Sequence, residues 1–284
     1  MIITQGTPEW YAARIGHVTA SRMSAVLAKI KSGEAADRKN YRTEKVVERL
    51  TGKSGENDFV TAPMQRGTDT EPKARTWYAN KFDVLPTLTG FRKHPTIEWL
   101  GASVDSEIEA GKGGLEIKCP NTAQHIAALL YGMDSKHMPQ VQTEIWIMGW
   151  EWVDFVSYDD RMPEGLDGYV QRVYRDDKYI AMLEEEVWTF LGEVEVTLTK
   201  LQEKLNGKAE ASTEVEAEAA VDDQHPDSGA PAGAVGGDAP DQGSERPAVA
   251  GRKARARRTS ARRDDAGEGA AGGGAAQEAY GAKG

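Results

Sequence analysis

Residues 101–122 read GASVDSEIEAGKGGLEIKCPNT, and the fold turns on how this stretch is arranged. Two strand-like pieces, EWLGASVD and GLEIKCP, flank the polar, glycine-rich SEIEAGKG. If the two strands pair across that loop, Asp105 comes near the start of the second strand. Glu116 and Lys118 then project from one face of it, because side chains alternate, while Leu115 and Ile117 point the other way into a core. Two convergent carboxylates bind a hard cation such as Mg²⁺ through oxygen. A neighbouring lysine orients a water and offsets charge building on phosphorus as the ammonium, or deprotonates the water as the free amine. The competing reading is a same-face ion pair between Glu116 and Lys118 on an exposed strand, with Asp105 merely ending a hairpin. Taken alone, the D-x(10)-E-x-K spacing allows either.

Working outward, Trp10 to Ile30 reads as two helices parted by Gly16, the second capped near Thr19 or Ser21 and turning Val26, Leu27 and Ile30 inward. A third helix is expected from Asn40 to Leu50. Another should start at about Gly67, since Pro72 is tolerated only in a first turn. TLTGFRKHP adds a strand before the central pair. After it come a helix over PQVQTEIWIMG and a strand over WVDFVSYD. A long amphipathic helix follows, with Val173, Ile180, Leu183, Val187, Leu191, Val194, Leu198 and Leu201 recurring at helical spacing. The fold class is α/β, a mixed sheet flanked by helices.

Of the 284 residues, nearly all Trp, Phe, Leu and Ile lie before about Leu205. Residues 1–205 are therefore read as one folded domain, long enough to bury a core without staples. Residues 206–284, rich in Ala, Gly, Pro, Glu and Asp, are read as a disordered tail that buries too little apolar surface to offset chain entropy. An acidic run in this tail precedes a basic cluster, Arg252, Lys253, Arg255, Arg257, Arg258, Arg262 and Arg263, which reads as a solubilising segment or as an arm for DNA or a partner. The single cysteine, Cys119, excludes an intramolecular disulfide and a cysteine-built metal site. No apolar run is long enough to span a membrane, so a cytoplasmic protein is expected, in the host cytoplasm if phage-encoded. A formal charge of −10 does not exclude a nucleic-acid partner, because local patches bind DNA and a metal centre itself requires carboxylates.

The order RIGHVTASR, RGTDTEPKARTWY, SVD with LEIKCP, MPQVQTEIWIMG and VSYDDRM resembles the lambda-exonuclease, or YqaJ-type viral recombinase, branch of the PD-(D/E)xK nucleases over residues 7–165. The resemblance implies a restriction-endonuclease-like core with a central mixed sheet. It also implies a 5′→3′ exonuclease acting on the ends of linear double-stranded DNA in phage-type recombination. By position, Asp105, Glu116 and the Ile117 carbonyl are similar to the family's metal ligands and Lys118 to its catalytic lysine. Glu71 matches the helical glutamate that completes the metal shell; otherwise it is a first-turn carboxylate favoured by the helix dipole. Arg14, Ser21, Ser103 and Gln142 fall where the family holds the terminal 5′-phosphate, and a guanidinium binds phosphate bidentately. Ser21 also reads as an ordinary cap and Arg14 as part of a solvated helix face. Gln140 is a water or phosphate contact at the centre, or plain helix surface. One departure is Val104, where the family has proline before the first aspartate.

Mg²⁺ is the expected cofactor, with Mn²⁺ accepted by the same donors. The resemblance further implies a single-strand annealing protein as partner and a ring of three subunits around DNA. The alternatives are a structure- or site-specific endonuclease of the same fold, and a non-catalytic DNA-binding scaffold that uses the basic tail. TGKSG at residues 51–55 is not a P-loop, since Val47 stands where glycine is required. GASVD is not a nucleophile elbow, and the five histidines form no H-E-x-x-H. Cys119 reads as a packed small apolar group, and the tryptophans as core.

Overall fold

The computed structural model describes residues 5–55 and 61–221. The chain divides into two units, Met1–His225 and Pro226–Gly284; the second, with the basic tail cluster, lies outside the described residues. Among the described residues, helices α1 (Pro8–Arg14), α2 (Met23–Val26), α3 (Ala36–Thr51), α4 (Ala62–Phe82), α5 (Thr122–Tyr131), α6 (Met138–Met148) and α7 (Asp177–Val221) surround seven strands. These are β1 (Val18–Thr19), β2 (Phe91–Lys93), β3 (Leu100–Ser103), β4 (Ser106–Ile108), β5 (Gly113–Lys118), β6 (Trp152–Tyr158) and β7 (Gly168–Tyr174). They form two mixed sheets, in the orders β1-β3-β2 and β4-β5-β6-β7.

The expected hairpin is shifted by one element. The piece EWLGASVD does not pair as a whole with GLEIKCP. It breaks at Val104 and Asp105, so that β3 joins the first sheet, beside β1 and β2. The chain then resumes as β4, which pairs antiparallel with β5, Ser106 opposite Leu115 and Ile108 opposite Gly113. Side-chain hydroxyls satisfy the carbonyls at the break: Thr89 Oγ1 donates to Val104 O at 2.8 Å and Ser106 Oγ to Asp105 O at 2.6 Å. Asp105 thus sits where one sheet hands the chain to the other.

Two cores hold this arrangement. The larger gathers Val18, Met23, Val26 and Tyr41 with Leu100, Val141, Ile145, Trp150, Leu183 and Phe190, binding the first sheet to α3, α6 and α7. The smaller packs Ala74 and Tyr78 of α4 against Leu115, Ile117, Trp152 and Val156. The alternation expected for β5 is present: Leu115 and Ile117 face α4, and Glu116 and Lys118 face the opposite side.

Several elements differ from the sequence expectation. Only four residues of the second expected helix are α-helical and Ile30 is exposed; ahead of it, Val18–Thr19 pairs parallel with β3. Helix α4 starts at Ala62 and runs through Pro72; Thr61 caps it, accepting from Met64 N at 3.3 Å, and Pro63 occupies the first turn. The cost of Pro72 is carried by the burial of Thr70, Ala74 and Tyr78 on its inner face. Val173 belongs to β7, not to the final helix, which Asp176 caps by accepting from Lys178 N and Tyr179 N, both at 3.0 Å. That helix buries Ile180, Leu183, Val187, Leu191, Val194 and Leu198 as its spacing requires, leaves Leu201 exposed, and continues past Leu205 to Val221. No helix among the described residues is long and apolar enough to cross a membrane.

Candidate active site

Strand β5 delivers the chemistry. It opens on Gly113 and Gly114 because a Cβ there would lie 2.5 Å from the Trp152 ring and 1.9 Å from the Trp150 ring. Side chains at these positions would push the strand off both indoles. Parallel pairing to β6 then sets Glu116 opposite Phe155 and Lys118 opposite Ser157. Beyond Lys118, Arg66 of α4 holds the exit turn, donating to Pro120 O at 3.0 Å and to Asp159 Oδ1 at 2.8 Å.

Asp105 closes on this strand from the sheet break. Its Oδ2 accepts the Ile117 N–H at 2.7 Å. In an extended strand the N–H and C=O of one residue point to the same side, so the Ile117 carbonyl opens toward Asp105 as well. Lys118 Nζ lies 2.5 Å from Glu116 Oε1. Gln140 of α6 ties the pair together: Lys118 Nζ donates to its Oε1 at 3.2 Å, and its Nε2 donates to Glu116 Oε1 at 2.7 Å. The sequence-predicted residues Asp105, Glu116, Ile117, Lys118 and Gln140 are therefore one contiguous group.

Burial sets the electrostatics. The Asp105 carboxyl is held well above the usual carboxylate range by burial, then by the charges of Glu116 and Glu71. For Lys118, burial works against the ammonium, but the Glu116 and Asp105 carboxylates outweigh it and raise its pKa, so it stays charged. The His137 imidazole is pushed down to about 4 by burial, then by Lys118 and Lys136. Burial, and then Glu71, push the Cys119 thiol up to about 12, in keeping with a packed and unreactive cysteine.

Glu71 stands near the centre, where its charge is felt by Asp105, but its Oε1 accepts from Arg75 Nη2 at 2.5 Å. Arg14 and Ser103 are brought together, Arg14 Nη1 donating to Ser103 Oγ at 3.1 Å beneath the Trp10 ring. Trp10 Nε1 donates to the same hydroxyl at 2.9 Å. Ser21 is exposed and lines a cavity of about 310 Å³ with Ser24, Lys118, Lys136, His137 and Gln140. Gln142 is not part of the site. It is 2% exposed and faces away, donating to Tyr174 O at 2.8 Å and accepting from Asp176 N at 3.0 Å. The phosphate-binding quartet expected from the sequence is thereby corrected: of the two glutamines in PQVQ, Gln140 faces the centre and Gln142 fastens β7 to α7.

Sequence reasoning missed Glu144, which is fully buried one turn beyond Gln140 and accepts from Gln140 Nε2 at 2.8 Å. Burial, then Glu116, hold its carboxyl well above the usual range. The available signal was a glutamate four residues after a glutamine on a helix that also buries Val141, Ile145 and Ile147. His137 was also passed over; it packs against Phe155 with ring centroids 5.2 Å apart.

The donor set fits a hard divalent cation. Glu116 Oε2 and Glu144 Oε2 are buried without a hydrogen-bond partner, and the ligand atoms that Asp105, Glu116 and the Ile117 carbonyl offer are oxygens. Among the described residues no three His, Cys, Asp or Glu side chains are already gathered at metal-holding distance. The Lys118 ammonium and the Gln140 amide stand between the carboxylates instead.

The model of the YqaJ-like viral recombinase domain matches residues 9–151. Among solved structures, an alkaline exonuclease from Laribacter hongkongensis is 42% identical with a TM-score of 0.65, over 71% of this chain and 99% of that one. The same enzyme in complex with dAMP gives 42% identity and a TM-score of 0.66 over the same shares. A phage-related exonuclease from Haemophilus somnus 129PT shares the fold at 14% identity and a TM-score of 0.53, over 65% of this chain and 96% of that one. Comparison with curated proteins returned no match.

Proposed function

The chain belongs to the YqaJ-like viral recombinase family, and from that premise we propose that it is a metal-dependent exodeoxyribonuclease that degrades one strand of linear duplex DNA in the 5′→3′ direction. The observation that carries this reading is the single cluster of Asp105, Glu116, Lys118 and Gln140 around one strand. The alkaline exonuclease of known structure, similar over nearly its whole length, supports the reaction class.

Asp105, Glu116 and the Ile117 carbonyl would hold Mg²⁺ or Mn²⁺, with Glu71 reaching the shell directly or through water once it leaves Arg75. When bound, the cation neutralises charge on the scissile phosphate and acidifies a coordinated water. Lys118 stays protonated beside Glu116 and orients the attacking water while offsetting the negative charge that grows on the phosphate oxygens. Gln140 holds the Lys118 ammonium and the Glu116 carboxylate at fixed separation, so little reorganisation remains for the reaction itself. Arg14 and Ser103, two residues upstream of Asp105, together with Ser21 at the cavity wall, bind the terminal 5′-phosphate and so set the cut at a strand end. The products of this reading are 5′-mononucleotides and a 3′ single strand, the substrate of a single-strand annealing protein. A trimeric ring around DNA would account for processivity.

Incubation with linear 5′-phosphorylated duplex and Mg²⁺ tests the proposal. End-dependent release of mononucleotides, abolished by Glu116→Ala, is the expected result. No digestion, or digestion unaffected by Glu116→Ala, overturns it.

A further inference from the structure

We propose that Glu144 is a positioning residue of the cutting centre, acting through Gln140; the inference rests on the nuclease reading of that centre. The Gln140 amide has two N–H donors and one oxygen, and all three are engaged. One N–H goes to Glu116, the other to Glu144 at 2.8 Å, and the oxygen accepts from Lys118. The two ends of a glutamine amide are nearly equal in shape, so only its partners decide which way round it sits. Reversed, it would set its oxygen against the Glu116 and Glu144 carboxyls and its N–H groups against the Lys118 ammonium. Glu144 occupies the second donor and removes the freedom to rotate away.

The setting of Glu144 supports a dedicated role. It has no solvent exposure, and its Oε2 has no hydrogen-bond partner. A buried, half-satisfied carboxyl is costly, and an apolar residue would pack this helix face at less expense. Its inward neighbours Val141 and Ile145 are apolar. Gln140 and Glu144 lie one turn apart on the same face of α6, the spacing at which two helical side chains meet. The carboxyl therefore sits behind Gln140 and fixes the residue that in turn fixes Lys118.

Two measurements on the full chain test this. The first is the rate of mononucleotide release from linear 5′-phosphorylated duplex by Glu144→Ala, Glu144→Gln, Gln140→Ala and the double variant Gln140→Ala/Glu144→Ala. Glu144→Ala is expected to lower kcat about ten- to a hundredfold with little change in KM, the usual loss for a partner that orients an active-site group. Glu144→Gln, which keeps an acceptor for the Gln140 amide, should recover most of that loss. Removing Glu144 should cost nothing further once Gln140 is alanine. The second measurement is the side-chain amide signals of Gln140 by NMR, without DNA or metal. Both protons should be protected from exchange in the unaltered chain and in Glu144→Gln, and one should lose protection in Glu144→Ala. Equal losses in both backgrounds, or an amide indifferent to Glu144, overturn the proposal. Because the amide signals are read without catalysis, a chain that fails to digest DNA sinks the nuclease reading while the amide result still decides the role of Glu144.

Discussion

Asp105 accepts the main-chain N–H of Ile117 at 2.7 Å. The carboxylate at the break between the two sheets is thereby fastened to the strand that carries Glu116 and Lys118. An asparagine at position 105 keeps an oxygen for that bond but loses the charge. Asp105→Asn should therefore melt close to the unaltered protein while its rate on linear DNA falls by about three orders of magnitude. A large drop in Tm would mean that the aspartate serves the fold instead.

The two glutamines of PQVQ should separate cleanly. Gln142→Ala takes the side-chain partner from the Tyr174 carbonyl and the Asp176 N–H at a partly buried joint, at a cost of about 0.5–1.5 kcal/mol for each bond, with the preference for a 5′-phosphate unchanged. Gln140→Ala should instead lower the rate with a smaller effect on melting. Thermal denaturation and single-turnover digestion of the two variants check this, and the reverse pattern would return the phosphate pocket to Gln142.

Arg14 is stacked on Trp10 and donates to Ser103. Lysine cannot reproduce a forked guanidinium contact to phosphate. Arg14→Lys should reduce the preference for 5′-phosphate over 5′-hydroxyl ends by roughly tenfold. An unchanged ratio would remove Arg14 from end recognition.

Much of this was legible in the sequence, and the failures have physical causes. LEIKCP announced its own alternation, and Glu116 and Lys118 do face away from Leu115 and Ile117. The hairpin partner was misread because EWLGASVD reads as one strand and SEI as loop, whereas the chain breaks at Val104 and Asp105, where hydroxyls of Thr89 and Ser106 satisfy the carbonyls. Val173 has the right spacing for the last helix, yet lies in β7, ahead of the Asp176 cap. Gln140 and Gln142 are about 200° apart around a helix, so only one of them can face the centre, and the motif does not say which. Glu144 went unnoticed because a charged residue on an inward face is visible only once the face is known.

The pH dependence of stability follows from the raised carboxyl of Asp105. The folded chain holds this proton more tightly than the unfolded chain. Its stabilising contribution is complete below the ordinary carboxylate pKa of about 4 and is lost as pH rises through the folded value. Asp159 has the opposite sign: held well below its ordinary value, first by Arg161, it contributes above that value and is lost only in stronger acid. In chelator, the Tm of the unaltered chain should fall relative to that of Asp105→Asn as pH rises above about 4. Added Mg²⁺ should raise Tm more at higher pH, because it competes with protons for the same oxygens. A Tm of the unaltered chain that rises relative to Asp105→Asn with pH in chelator, or a Mg²⁺ effect strongest in acid, would contradict this reading of the carboxyl.

The most direct test of the central claim compares linear 5′-phosphorylated duplex with covalently closed circular DNA of the same sequence, with and without Mg²⁺. The expected result is mononucleotide release from the linear form alone, only with the cation, and lost in Glu116→Ala. Cutting of the closed circle, or hydrolysis that persists without a divalent cation, would contradict it.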